Sequence, residues 1–130
     1  MATGQLNSSV TELGGKFVLD LSVPSSSGAN NNITTAAGSV FLIEIDNEAN
    51  AADCYIKIVD TTQANPGDST LNGSGTPVFT FKAPSFTKIS YVIPSGLVLS
   101  SGISVFCSTS TSVGSTSDPT KPVILKMICS

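Results

Sequence analysis

Short stretches in which apolar and polar residues alternate one by one run along most of this chain. KFVLDLSV, residues 16–23, shows the pattern. A period of two puts every second side chain on the same face of an extended chain, which is typical of a β-strand with one buried face. No segment keeps the three- and four-residue apolar spacing of an amphipathic helix for three turns, so we expect almost no helix.

These stretches predict seven strands, or eight if the short LVL segment is counted. They are residues 16–23, 39–46, 54–60, 77–83, 86–93, 103–110 and 122–130, with LVL at 97–99. Turns rich in Gly, Pro and Ser separate them. The pattern predicts an all-β fold, an antiparallel two-sheet β-sandwich of the jelly-roll or immunoglobulin-like kind. The order of the strands stays open.

The chain of 130 residues is most simply a single domain. Residues 1–14 are polar and without periodicity, so we expect a flexible N-terminal arm there, and one sandwich domain over 15–130. Such an arm can become ordered when it meets a partner or a neighbouring subunit.

The surface of this chain must be built from small hydroxyl residues. Charged residues make up only 12% of the sequence, against about 25% in an average soluble domain. The 21 Ser and 14 Thr take their place. A surface with few long charged side chains lacks the usual guard against association, which favours self-assembly.

Several partner classes are not expected. There is no Arg, and the net charge is −3, whereas nucleic-acid binding needs a basic stripe. No apolar run approaches the roughly 18 residues of a membrane span. The opening residues, MATGQLNSSV, have neither a basic nor an apolar segment of a secretion signal. We therefore expect synthesis in a cytoplasm and no nucleic-acid or membrane partner.

Catalytic machinery is equally sparse. Without any His, a Ser-His-Asp or Cys-His arrangement is impossible. A Ser–Lys dyad stays open by composition, although no G-x-S-x-G elbow is present. The Gly-rich piece 73–75 lacks the Lys and helix of a phosphate-binding loop. We expect no catalytic residues, no cofactor-binding residues and no cofactor.

Five of the nine acidic residues lie within residues 41–60, which raises the question of a metal site. Asp46, Glu48 and Asn50 have the spacing of the first three EF-hand ligands. The match then fails at Ala51, where a Gly is needed, and at Lys57, where a bidentate Glu is needed. No metal ligands are expected, although a looser calcium site stays open.

The same acidic stretch could instead hold a carboxylate pair or form a simple hairpin. A glycosidase pair needs two acids held roughly 5–10 Å apart across a cleft, and most of these acids lie in a connection expected to be exposed. A β-hairpin explains the alternation on both sides of the turn. The expected pairs are Ile43 with Ile58, Ile45 with Ile56, and Glu44 with Lys57 as an opposite-charge pair.

The three cysteines, Cys54, Cys107 and Cys129, have no C-x-x-C spacing. Each alternates with aliphatic residues in a predicted strand, so we expect reduced thiols packed as small hydrophobic side chains. A sugar-stacking site is not indicated either, because there is no Trp and the only tyrosines are Tyr55 and Tyr91. A sugar site made of loop Asn, Asp and Ser residues stays open.

Two motifs point to a family. IEIDNEANAADCYIKIVD combines a strand, a DN-x-AN-x-A turn and a Tyr-aliphatic-Lys-aliphatic strand, and PSGLVLSSGISV has the form GL-x-L-x-x-GI-x-V. Together they resemble small β-sandwich virion proteins of tailed bacteriophages, over residues 38–129. The resemblance implies a capsid decoration (cement), head-fibre or tail-associated protein, non-enzymatic and homo-oligomeric, often trimeric, with no catalytic motif to transfer.

The favoured hypothesis is therefore a capsid decoration protein on the virion surface, with the major capsid protein and further copies of itself, as a trimer, for partners. The arm 1–14 and the long loops are the expected contact elements. The alternative is a receptor- or glycan-binding domain of a tail or appendage, whose recognition surface would be the loops 62–76 and 109–121.

Overall fold

The computed structural model describes residues 9–13, 15–23 and 29–130, and across them the chain forms eight β-strands and no helix. The strands are β1 (Ser9–Leu13), β2 (Lys16–Val23), β3 (Gly38–Asp46), β4 (Cys54–Asp60), β5 (Phe79–Ala83), β6 (Lys88–Leu99), β7 (Ile103–Ser108) and β8 (Val123–Cys129).

The strands form two antiparallel sheets. One sheet has five strands in the order β1-β2-β8-β3-β6, and the other has three strands in the order β5-β4-β7. The two sheets face each other across one hydrophobic core to which both contribute. The predicted all-β, two-sheet sandwich is confirmed.

Alternation determines which side chains enter that core. In β2, Leu19, Leu21 and Val23 are fully buried, and their neighbours on the opposite face are exposed or half-buried. Ile43 and Ile45 of β3 are fully buried in the same way. The periodicity in the sequence therefore predicts the inward face of these strands correctly.

The predicted hairpin between residues 39–46 and 54–60 is wrong. β3 pairs with β6 and β8 in the large sheet, whereas β4 pairs with β5 and β7 in the small sheet. Their apolar residues do face the same core, but from opposite sheets. Alternation fixes which side of a strand is buried and does not fix its neighbour, so the pattern fits both arrangements. Glu44 lies opposite Ser90 and Lys126 and not opposite Lys57.

The predicted N-terminal arm also needs correction. Residues 9–13 form β1, which pairs antiparallel with β2 at the edge of the five-stranded sheet. Backbone hydrogen bonds to β2 can hold such a strand even when its own sequence has little alternation. Residues 1–8 and 14 of the predicted arm lie outside the described residues.

The LVL segment is not a separate strand. It continues from residues 88–93 as part of the twelve-residue β6, through Pro94. Proline lacks a backbone N–H and is tolerated in a sheet only where no ladder bond is needed. β6 is an edge strand, and the register of its partner β3 shifts between Val40 and Leu42.

The outer face of the small sheet is covered as well. Phe106 and Val59 form a second, smaller hydrophobic cluster there with Ala64, and Ala29 packs against it. All six residues of β7 are buried. Strand β7 and the adjoining part of β4 are thus enclosed on both faces, whereas Lys82 of β5 stays exposed and the large sheet has only one face in the core.

Candidate functional site

The outer face of the five-stranded sheet carries a row of apolar side chains where polar ones are expected. Val18 pairs with Ile128, Ile128 with Leu42, and Leu42 with Val92, so the four lie side by side across β2, β8, β3 and β6. Val92 is 66% exposed and Val18 is 39% exposed. We call these four residues the apolar row.

The apolar row departs from the usual chemistry of a one-sided sheet. An antiparallel sheet with one buried face normally presents polar residues on the other. None of the four residues belongs to either hydrophobic cluster formed by the described residues. Val18 and Val92 are exposed and lie at the two ends of the row, and Leu42 and Ile128 between them are half-buried. Apolar side chains that form a contiguous patch on the surface mark sites that bind another molecule.

A row of alternating charge lies next to the apolar row. Asp20 of β2 pairs with Lys126 of β8, Lys126 with Glu44 of β3, and Glu44 with Ser90 of β6. Opposite charges on adjacent strands of one face stabilise the register. We call Asp20, Lys126, Glu44 and Ser90 the charged row. The face therefore combines the apolar row with a row in which negative and positive charges alternate.

The acidic stretch 41–60, by contrast, is dispersed by the fold. Asp46 accepts a hydrogen bond from the backbone N–H of Glu48 at 3.0 Å. Asp53 forms an ion pair with Lys82 at 3.5 Å and accepts the N–H of Ser85 at 2.9 Å. Across residues 9–13, 15–23 and 29–130, no three His, Cys, Asp or Glu side chains come together as a metal ion would require.

Asp60 lies at the far end of β4 and caps the turn between β6 and β7. Its carboxylate accepts the N–H of Ser101 at 2.7 Å and both the N–H and the hydroxyl of Ser100 at 3.1 Å. Burial alone would raise the pKa of Asp60, but these hydrogen bonds outweigh it and hold the pKa below its ordinary value. Asp60 thus fastens one sheet to the other.

Two buried asparagines organise the opposite end of the sandwich. The Asn47 side-chain amide donates to the carbonyls of Ala52 and Ala83 at 3.0 and 3.1 Å. Asn50 donates to the carbonyl of Lys121 and accepts its N–H, at 3.0 and 2.9 Å. Asn50, one of the three residues with EF-hand spacing, and Asn47 therefore bind backbone groups of their own chain. The sequence signal that could have shown this is the Asn at both positions, since one amide can donate and accept together.

The three cysteines are free and fully buried, as predicted. A hydrogen bond from the Cys107 thiol lowers the pKa of Cys54 despite its burial, and the same contact together with burial raises the pKa of Cys107. Burial raises the pKa of Cys129 to about 12. Thiols enclosed in this way behave as small hydrophobic side chains.

Loops 62–76 and 109–121, predicted to form one recognition surface, do meet. Gly67 approaches Thr116, and Gly114 approaches Ser69. Together they border an open cleft of about 620 Å³, lined by Gln63, Ala64, Asn65, Pro66, Gly67, Ser74 and Thr116. Its lining is uncharged and contains no aromatic side chain, so sugar stacking has no platform in this cleft.

Beneath the second of these loops lies a buried lysine that the sequence pattern did not reveal as buried. Lys57 is 1% exposed, its ammonium donates to the carbonyl of Ser112 at 2.8 Å, and it lies over the Phe106 ring at 5.7 Å. Desolvation lowers the pKa of Lys57, although the nearby Cys107 opposes the shift. Lys57 holds the loop onto the small sheet.

The tyrosines are not placed as sugar-binding platforms. Tyr91 lies 5.1 Å from the Phe81 ring and donates its hydroxyl to the carbonyl of Lys82. Tyr55 is half-buried in β4. The Ser–Lys dyad that composition leaves open would need both side chains on one face. Ser85 and Lys88 have the S-x-x-K spacing that achieves this on a helix, but Ser85 lies in the turn before β6 and Lys88 is the first residue of that strand.

Comparison of this chain with protein-family models, with curated proteins and with solved structures finds no match. Among the described residues, no helix is long and apolar enough to cross a membrane.

Proposed function

We propose that this chain is a non-enzymatic structural protein of a tailed-bacteriophage virion, a capsid decoration protein that assembles on the major capsid protein as a homo-oligomer. The observation that carries the assembly part of the proposal is the apolar row on the exposed face of the five-stranded sheet. Such a row is costly to leave in water and gains free energy when a partner covers it.

The arrangement of the polar groups supports a structural role over a catalytic one. The polar side chains described above form hydrogen bonds with groups of their own chain. They are Asn47, Asn50, Asp53 and Asp60. A catalytic group needs a free donor or acceptor directed at a substrate. These groups fix connections between strands instead, which suits a rigid building block.

The virion assignment rests on the sequence resemblance. The motifs in residues 43–60 and 94–105 resemble those of small phage virion proteins, which implies a location on the capsid surface and assembly as a homo-oligomer, often a trimer. The low charge content and hydroxyl-rich surface agree with a protein that works in contact with neighbours.

The direct test is to incubate the purified protein with undecorated capsids and to sediment the particles. We expect saturable co-sedimentation with a fixed number of copies per capsid, and no uptake by capsids that are already decorated. Protein that stays in the supernatant at all capsid concentrations would overturn the proposal.

A second candidate function is favoured by the meeting of loops 62–76 and 109–121. As a receptor- or glycan-binding domain, the chain would use the cleft beside Gln63 and Thr116, whose amide and hydroxyl can bond sugar hydroxyls. Glycan-array binding that is lost in Gln63→Ala and Thr116→Val, and kept in the exposed-site control Glu48→Ala, would support it. An array with no bound glycan would remove it.

A further inference from the structure

The apolar row and the charged row beside it together form a face that is complementary to the same face of a second copy of the chain. The strands run in the order β2-β8-β3-β6 across this face. In the apolar row, this order gives Val18, Ile128, Leu42 and Val92. In the charged row, it gives Asp20, Lys126, Glu44 and Ser90.

We propose that this outer face packs against the same face of a second copy of the chain, about a two-fold axis that runs parallel to the strands between β3 and β8. The inference rests on the proposed function only in that both require a homo-oligomer. The inference adds the surface and the contacts, and its two-fold symmetry replaces the trimer that the sequence resemblance implies.

The two-fold rotation stacks the apolar row on itself. Rotation about an axis parallel to the strands keeps each residue at its height along the strand and reverses the strand order. β8 then faces β3 of the second copy, and β2 faces β6. Ile128 comes to lie over Leu42 of the second copy, and Val18 over Val92 of the second copy, so every member of the row is covered by another member.

The same rotation matches the charges. Lys126 comes to face Glu44 of the second copy, and Glu44 faces Lys126 of the second copy. Asp20 faces the uncharged Ser90. In the next row, Ser22 pairs with Ile124, Ile124 with Asp46, and Asp46 with Lys88. There Lys88 faces Ser22 and Asp46 faces Ile124, so no like charges meet.

Lys126 and Glu44 also disfavour a two-fold axis that is shifted by half a strand spacing to either side. An axis directly over β8 would bring the two Lys126 side chains together, and an axis directly over β3 would bring the two Glu44 side chains together. Like charges in a desolvated interface are repulsive and act against the wrong register. The charged row therefore selects the position between the two strands.

The size of the face indicates how strong the contact is. Four strands about 4.8 Å apart, each about seven residues of about 3.3 Å, give a face of roughly 450 Å². Stable interfaces bury about 800 Å² on each partner. The pair should therefore be a weak one that forms at micromolar or higher protein concentration, and it is an isologous contact that closes at two copies.

The test is sedimentation velocity of the full chain from low micromolar to near-millimolar concentration, with four variants. We expect a concentration-dependent dimer. Lys126→Glu should abolish it, and the exchange Glu44→Lys with Lys126→Glu should restore it. Val92→Ser should weaken association at least about tenfold, because an apolar contact is lost on both copies. Val78→Ser, which removes a valine that is 48% exposed just before β5 of the other sheet, should leave association unchanged.

Thermal unfolding of each variant at high dilution separates association from folding, since Glu44 and Lys126 are also neighbours within one chain. A trimer, a charge exchange that fails to restore the dimer, or equal effects of Val92→Ser and Val78→Ser would overturn the inference. Capsid co-sedimentation of a chain that shows any of these results would leave the proposed function standing.

Discussion

The side-chain amide of Asn50 donates to Oδ1 of Asn47 at 2.9 Å, and both residues are buried. Through this contact, the connection after β3 is joined to the turn after β5 and to the segment before β8, because Asn47 bonds the carbonyl of Ala83 and Asn50 bonds the backbone of Lys121. The turn that resembles a calcium loop is a junction of three connections.

Asn50→Ala should lower the free energy of unfolding by about 2 kcal/mol, because it leaves the buried Oδ1 of Asn47 and the backbone N–H and carbonyl of Lys121 without their hydrogen bonds. Chemical denaturation measures the loss. The exposed Asn65→Ala is the matched control and should change stability by less than about 0.5 kcal/mol. Equal losses in the two variants would show that the buried hydrogen bonds of Asn50 add no more stability than an exposed asparagine does.

Asp60→Ala should destabilise the protein by about 1 kcal/mol at neutral pH, because the N–H groups of Ser100 and Ser101 lose a charged acceptor. Since the pKa of Asp60 is lowered on folding, its contribution is present above the ordinary value of 3.8 and is lost as the pH falls through the folded-state pKa. Denaturation across acidic pH should therefore show the gap between wild type and variant closing. The exposed Glu48→Ala serves as control, and a gap that persists unchanged at low pH would contradict this account.

Lys57→Met should stabilise the fold by about 1 kcal/mol at neutral pH, because a buried charge is replaced by an apolar side chain of similar length. The pKa of Lys57 is lowered on folding. The free energy of unfolding of the wild type should therefore increase as the pH rises above the folded-state pKa, and the difference from the variant should become smaller. Hydrogen exchange should also report faster opening near Ser112, which loses its tether. A variant that is less stable at neutral pH would show that the tether outweighs the buried charge.

The three thiols should not react with a thiol reagent in the native protein at neutral pH, because Cys54, Cys107 and Cys129 are fully buried. All three should react once the protein is unfolded in denaturant. Stoichiometric labelling of the native chain within minutes would mean that one of the strands opens readily.

Alternation predicted the inward faces of the strands because burial acts on each strand separately. Leu19 and Leu21 in β2, and Ile43 and Ile45 in β3, are fully buried for this reason. The sheet to which a strand belongs depends on contacts between residues far apart in the chain. The period of two contains no information on them, which is why the hairpin between β3 and β4 was predicted in error.

The apolar row was partly visible in the sequence. Val18 and Val92 fall at outward positions of strands 16–23 and 86–93, among Lys, Asp and Ser residues. What joins them is the register of β8 and β3 between them, through Ile128 and Leu42. A sequence contains the outward apolar residues but not the register that places them side by side.

Lys57 shows the opposite case. As a lysine in an alternating strand it was expected at the surface, facing Glu44. It is buried because loop 109–121 covers the outer face of the small sheet, and the loop's carbonyl at Ser112 satisfies the ammonium. Coverage by a remote loop leaves no periodic signal in the strand.

Electron microscopy of intact particles, with a label on this chain, tests the central claim most directly. The account predicts regularly spaced label on the outer surface of the capsid. Label confined to the tail, or purified particles that contain no copies of the chain, would contradict it.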